Sequence, residues 1–405
     1  MHEMIGVLLC SGEGTRMPAL TRDVQKCLLS VVGVPMFLYP LSSILRTGIT
    51  DIKIFVREVF QSVLEREVKK SNLLDKYPAH IEYITINQDN LGTGDLLKDH
   101  LSKITRDALI VPCDFISDAS LIPLVDVFRA TNSTLVALIA DTCVNSSSPG
   151  SKSKKAKATD VMAIVESTGQ LAFLSSDEDF DAPLIMEKIL RTFSSVRLTS
   201  KYNDCHVYAI RHKALLQLSK TKNLTSLKAD FVPILIEQQF ESDSDIKCYA
   251  YRLPHENGFV TAHANTIGSY FEVNKAIQKS FARLMEYRGN GKIFNHKADK
   301  IVAHDSRIEE SAQVGKESVI KRSIILDHCK IGEKVRLKES VIARSVVIGN
   351  GAAVNNSIIC EGAEIGESAD VTNCIVSRDQ KIPAKAKVQN EVVDGDGEDE
   401  EWTDS

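Results

Sequence analysis

The stretch Ile5-Gly-Val-Leu-Leu-Cys10-Ser-Gly-Glu-Gly-Thr-Arg16 decides the reading of the chain. Its first half is a continuous apolar run, as expected of a strand buried on both faces. Its second half is a glycine loop into which that strand runs directly. Glycines there allow a tight turn and a close approach of backbone to an anion. Successive N–H groups in such a loop make a nest for phosphate oxygens. Arg16 and then Lys26 follow as cations that could reach the same oxygens.

Outward from this stretch, strand-like and helix-like segments alternate. MFLYPLSSILRT (36–47) predicts a helix, DIKIFV (51–56) a strand, and residues 57–70 a charged helix. IEYITI (81–86) and ALIVP (108–112) read as strands around a helix over 94–104, and TLVALIA (134–140) as a further strand. This alternation, continuing to about residue 280, predicts a mainly parallel, doubly wound, Rossmann-like α/β sheet. Residues 145–158 (NSSSPGSKSKKAKA) interrupt it and read as a mobile surface insertion.

Past residue 300 the pattern changes. Val314-Gly, Ile331-Gly, Ile348-Gly and Ile365-Gly recur every 17 residues. Ser323, Ser340, Ser357 and Cys374 keep the same spacing, each followed by two aliphatics. Two phases agreeing over four turns predict hexapeptide-type coils of a left-handed parallel β-helix. One coil cannot bury its own core, so the coils must stack. Residues 391–405 carry eight acids and no base, so a disordered tail is expected. Trp402 sits among those acids, either passively solvated or available to a basic groove. The domain boundaries that follow are 1–290, 300–385 and an acidic tail over 386–405.

The 405 residues carry a net charge of −5 at a pI near 6.1, which argues against a broad basic surface for nucleic acid. Nine scattered cysteines without a C-x-x-C pair argue against a disulfide framework or structural zinc and for a reducing compartment. No apolar run approaches the length of a membrane span or signal segment, so the cytosol is the expected location. Only His304 and His328 lie in the coil region, where an acyltransferase would need a catalytic histidine. A lone histidine on a coil is more often structural.

Several motifs, taken together, resemble the sugar-phosphate nucleotidyltransferase family. Ser11-Gly-Glu-Gly-Thr-Arg-Met-Pro-Ala-Leu-Thr21, Gln25-Lys26 and Val32-Gly-Val-Pro-Met36 follow its opening pattern. Leu91-Gly-Thr-Gly-Asp95 resembles its base- and sugar-binding segment, and Pro112-Cys-Asp114 its metal-binding strand end. Ser226-Leu-Lys-Ala-Asp-Phe-Val-Pro233 resembles its S-x-E-x-D-x-x-P motif. The resemblance implies a nucleotidyltransferase-like domain followed by the β-helix. It also implies a nucleotide site, here vestigial, at Gly12, Gly14, Thr15, Arg16, Lys26, Gly92, Thr93 and Asp114.

The departures from the pattern bear on activity. Active members hold Mg²⁺ with two carboxylates, yet no acid lies between Glu256 and Glu272, where the second belongs. Ser11 replaces the first loop glycine, Gln25 a proline, and Lys228 a glutamate, and Ser175–Asp181 offers no lysine for a sugar phosphate. With charge neutralisation impaired, catalysis is not expected, nor a cofactor or resident metal.

Within the family the chain most resembles the non-catalytic of two related subunits of a guanine nucleotide exchange factor of translation initiation. The other, epsilon, carries a further helical-repeat domain for which no residues remain here. The resemblance implies an obligate hetero-oligomer with that epsilon subunit and with alpha, beta and delta subunits. The assembly would act on initiation factor 2 with GDP and GTP, without direct contact to nucleic acid or membrane. The alternative reading is an active sugar-1-phosphate nucleotidyltransferase of mannose-1-phosphate guanylyltransferase type, or a regulatory subunit of one.

Overall fold

A computed structural model describes residues 3–394 except 23, 88–90, 142–148, 151–159, 177–186, 188, 194, 222–223, 254–260, 285–292 and 299–300. The chain divides into two compact units. One comprises Met1–Gly12, Phe37–Cys143 and Ala156–Ala262; the other comprises Glu13–Met36, Val144–Lys155 and His263–Ser405.

In the first unit β1 (Met4–Leu9) is buried at every position, as its unbroken apolar run requires. It is followed by α1 (Leu38–Arg46), β2 (Asp51–Arg57), α2 (Gln61–Ser71) and β3 (His80–Ile86). Then come α3 (Thr93–Asp99), β4 (Asp107–Pro112), α4 (Ile122–Ala130) and β5 (Leu135–Asp141). Helix α2 buries Leu64, Val68 and Ser71 along one stripe and stops at Asn72, whose φ of 55° is a left-handed cap. A small antiparallel sheet of β6 (Asp160–Ile164), β7 (Leu171–Ser176) and β8 (Arg197–Thr199) follows. The chain closes with β9 (Tyr202–Ile210), α5 (Val232–Gln238) and β10 (Cys248–Arg252).

The main sheet has the order β10-β5-β9-β4-β1-β2-β3. All its neighbours are parallel except β9, which is antiparallel to both β4 and β5. β9 follows the small sheet in the chain and runs back alongside β5. From β1 the chain moves to β2 and β3 on one side, then to β4 on the other. The carboxyl end of β1 is therefore a topological switch point, where doubly wound sheets place their ligands.

In the second unit, α6 (Ile267–Leu284) precedes β11 (Ile301–Ile308) and the coils. β11 starts two ladders at once, pairing with Val319–Lys321 through one half and Ile324–Ile325 through the other. Every rung pairs with a rung 17 residues on, as in Val314↔Ile331, Ile331↔Ile348, Ile348↔Ile365 and Ile365↔Ile382. Ile320, Leu337 and Val354 fill the axis from one face, Ile325, Ile342 and Ile359 from the second, and Ile331, Ile348 and Ile365 from the third.

Two corner devices explain the repeated small residues. A Cβ on Gly332 would lie 2.8 Å from Asn350 N, and one on Gly349 2.6 Å from Glu367 N. Only glycine lets the coils approach at that corner. At another corner Ser323, Ser340 and Ser357 are buried. Each hydroxyl donates to the carbonyl two residues back, at 2.9, 2.8 and 2.7 Å. Each also accepts the N–H of the residue one coil on, at 3.1 Å for Ser340 N and 3.3 Å for Ser357 N. Cys374 N closes the column on Ser357 Oγ at 3.0 Å.

The second face is apolar on its outer side too: Ile324, Val341, Ile358 and Ile375 are all buried. Part of that cover is the middle of the 145–158 insertion. Gly150 N donates to Asn373 O at 2.7 Å, and a Cβ on Gly150 would lie 3.2 Å from Ile375 Cδ1. At Gly150 the insertion, expected to be mobile, makes this backbone contact with the coil; its other residues, Pro149 excepted, lie outside the described residues. The coil also outruns the expected end at 385. Lys387–Gln389 and Val392–Val393 form a further rung, because Val388 supplies one more buried axis residue. Most of the acidic tail, including Trp402, lies outside the described residues.

Ser340→Ala removes the donor to Lys338 O and leaves Ser357 N–H buried without its acceptor, at a cost of about 1–3 kcal/mol. Ile348→Asp places a carboxylate in the axis and abolishes the coil's folding. Urea unfolding of the full chain followed by circular dichroism measures both. An unchanged midpoint for Ser340→Ala would remove the hydroxyl column from the account of stability.

Candidate functional site

Residues carrying the family motifs occur in both units. In the first, the parallel ends of β1, β2 and β4 are joined beyond the strands themselves. Cys113 N donates to Leu9 O at 3.0 Å and Cys10 N to Phe55 O at 2.8 Å. Asp114, 3% exposed, follows immediately at this switch point. Ser11 and Gly12 leave β1 at the same edge. A Cβ on Gly12 would meet nothing within 4 Å, so close packing does not impose this glycine.

The third and fourth motifs are bound to each other. A Cβ on Gly92 would lie 2.0 Å from Thr225 O, so the backbones meet there. Gly94 N donates to Thr225 O at 2.8 Å, and Thr93 Oγ1 accepts Leu227 N at 2.9 Å. Asp230 Oδ2 then accepts Thr225 N at 2.8 Å and Ser226 N at 2.7 Å. Ser226 Oγ caps the turn by accepting Ala229 N at 3.1 Å. The turn Leu227–Phe231 is π-helical and leads directly into α5.

That turn aims Lys228 at β6. Lys228 Nζ lies 2.7 Å from Asp160 Oδ1, with the side chains only 19% and 9% exposed. Asp160 Oδ2 accepts Asp204 N at 2.8 Å. Asp204 Oδ1 accepts His206 N at 2.9 Å, and Tyr208 donates its hydroxyl to Asp204 Oδ2. Burial pushes the Asp204 carboxyl up to about 6, against the opposing pull of the Lys228 cation and the Tyr208 hydrogen bond; nearby Asp160 pushes it up as well. Burial also holds the Tyr208 phenol well above its ordinary value. This chain of four polar side chains is not evident from motif reading. The signal was Lys228 itself: a lysine in an acid's place inside a folded motif calls for a nearby carboxylate.

In the second unit, Gly14 takes a φ of +78° and its carbonyl accepts Met17 N at 2.8 Å and Thr21 Oγ1 at 3.0 Å. A Cβ there would lie 2.6 Å from Thr21 Cγ2 and 3.2 Å from Lys26 Cβ, so this glycine is required by its turn. Thr15 and Arg16 are exposed, and Lys26 opens a short 3₁₀ turn, Lys26–Leu28, with its side chain half-buried. The eight expected site residues thus fall into two groups: Gly12, Gly92, Thr93 and Asp114 in one unit, Gly14, Thr15, Arg16 and Lys26 in the other.

Among the described residues no group of three His, Cys, Asp or Glu side chains could hold a metal ion. The divalent ion that the resemblance implies would have Asp114 as its only assigned carboxylate. Mg²⁺ held through that one carboxylate would complete its near-octahedral oxygen shell with waters and substrate phosphates.

The titration of Asp204 has a definite sign. Between an ordinary carboxylate value near 4 and its folded value of about 6, the folded chain keeps a proton that the unfolded chain has lost. This group's contribution to stability therefore falls as pH rises through that window. Asp204→Asn removes the dependence while keeping an acceptor for His206 N. The variant's stability relative to the native chain should rise by about 1–2 kcal/mol from pH 4 to pH 7. Paired urea titrations at the two pH values measure it; parallel curves would mean that Asp204 is ionised throughout.

Comparison with known proteins agrees with this architecture. The family described as nucleotidyl transferase matches residues 5–149, and the one described as EIF2B subunit epsilon LbH domain matches residues 284–388. The chain is 80% identical over 328 residues to the translation initiation factor eIF2B subunit gamma of Caenorhabditis elegans, covering 81% of each. It is 24% identical to the subunit of the same name in Schizosaccharomyces pombe, over 66% of this chain and 64% of the relative. A mannose-1-phosphate guanylyltransferase of Mycobacterium tuberculosis is 32% identical over 130 residues, 32% of this chain and 35% of that enzyme.

Proposed function

This chain belongs to the eIF2B gamma subunit family of translation initiation factors, and on that premise we propose that it is a non-catalytic, regulatory subunit of a guanine nucleotide exchange factor. The factor promotes exchange of GDP for GTP on translation initiation factor 2. In this reading the chain pairs with the catalytic epsilon subunit and joins the alpha, beta and delta subunits in a cytosolic hetero-oligomer. The observation that carries the proposal is the 80% identity to the gamma subunit over 81% of both chains.

The site chemistry supports a pocket without transferase activity. Thr93 and the backbone of Gly94 are engaged by the 225–227 turn rather than left for a base or sugar. Lys228 places a cation where the family pattern has an acid, and Asp160 neutralises it inside the fold. A fold whose site has been internally satisfied can persist as a binding surface.

Asp114 at the strand switch and the 130-residue match to a guanylyltransferase favour one other reading, an active sugar-1-phosphate nucleotidyltransferase. The experiment is a tagged pull-down with stoichiometric mass spectrometry, followed by two assays on the recovered material. One epsilon-type chain per copy is expected, along with the other exchange-factor subunits. Asp114→Asn is expected to leave exchange on initiation factor 2 nearly unchanged. Incubation with GTP, mannose 1-phosphate and Mg²⁺ is expected to release no pyrophosphate. Release that disappears in Asp114→Asn would establish the enzyme reading instead.

A further inference from the structure

The face of the β-helix built on Val319–Lys321, Arg336–Lys338, Ala353–Asn355, Asp370–Thr372 and Lys387–Gln389 sends Ile320, Leu337, Val354, Val371 and Val388 into the axis. The alternate positions face out. They carry Lys321, Arg336, Lys338 and Lys387, all exposed, against one acid, Asp370. Lys321 and Lys338 are direct partners on successive rungs, so two cationic side chains leave backbones about 4.8 Å apart. Like charges in that register are unfavourable when alone. Among the described residues no carboxylate pairs with any of the four. By contrast, Arg322 at the next corner is held by Glu339, and Lys381 on another face lies 3.0 Å from Glu364.

The chain itself supplies the complement. Residues 395–405 (GDGEDEEWTDS) hold six acids and no base, and only Asp394 separates them from the last rung, Val392–Val393. Eleven extended residues reach about 35 Å. The rungs from Lys387 back to Lys321 span about 19 Å along the axis. We propose that the acidic segment 395–405 docks in cis along this basic face, with its carboxylates over Lys321, Arg336, Lys338 and Lys387. The docked segment shields the face, so an acidic partner segment must displace it. The inference concerns only the second unit and does not depend on the exchange-factor reading.

Trp402 is the only tryptophan in the chain, so its fluorescence reports the segment directly. The measurement is acrylamide quenching and anisotropy of the full chain, compared with a free peptide of residues 391–405. At about 0.1 M salt the full chain should quench about twofold less than the peptide. At about 1 M salt, where the Debye length falls to about 3 Å, the two should converge. The variant K321E/R336E/K338E should match the free peptide at low salt, with its fold checked by circular dichroism. A second variant, E398Q/D399N/E400Q/E401Q, leaves the coil untouched and should give the same release. Quenching equal to the free peptide at low salt in the native chain would overturn the proposal. So would protection that survives both variants, or a chain ending at Asp394 that binds duplex RNA but not the free acidic peptide.

Discussion

The β-helix rests on one constraint: a rung's backbone N–H and C=O groups are satisfied only by the coils above and below it. Seventeen residues per coil is therefore a register as well as a sequence period. Each Ile or Val of the axis must return beside its counterpart, and each corner must let the coils approach. The glycines do this by lacking a Cβ, and the buried serines by carrying one hydroxyl that donates within its own coil and accepts from the next. Because every coil uses the same corners, the outer faces become straight columns. Their charges follow from which residue the repeat leaves free at each rung.

The first unit depends on a different device. Its motif residues hold one another, with Thr93 on Leu227 N, Gly94 on Thr225 O, and Asp230 on two N–H groups of the same turn. That turn carries Lys228 to Asp160, and Asp160 links on to Asp204 and Tyr208. Groups used this way lose freedom to meet a ligand, whose binding would have to repay the internal contacts it broke. The clamp itself uses a glycine's close backbone approach and a threonine's hydroxyl.

Much of the architecture could be read from the residues. The apolar run at Ile5–Cys10 and the later strand segments specify a buried parallel sheet, because only strands covered on both faces are apolar throughout. The twofold agreement of glycine and serine phases specifies stacked coils. The same logic missed the inverted strand Tyr202–Ile210, since strand direction depends on the path of the chain between strands and leaves no periodic mark. It also missed the last rung, because Val388 is a single aliphatic among charged residues and only stacking shows it to be buried.

The sequence by itself determined the two architectures, their order, and the residue types of the motifs. Those follow from local patterns of apolarity and small residues. Tertiary structure alone decided the partners: Lys228 with Asp160, Gly92 against Thr225, Gly150 on the coil at Asn373. Each pair lies far apart in sequence, and nothing in local composition encodes which distant group the folded chain brings within hydrogen-bond reach. The shifted titration of Asp204 belongs to the same class, because it reflects burial among groups from three separate segments.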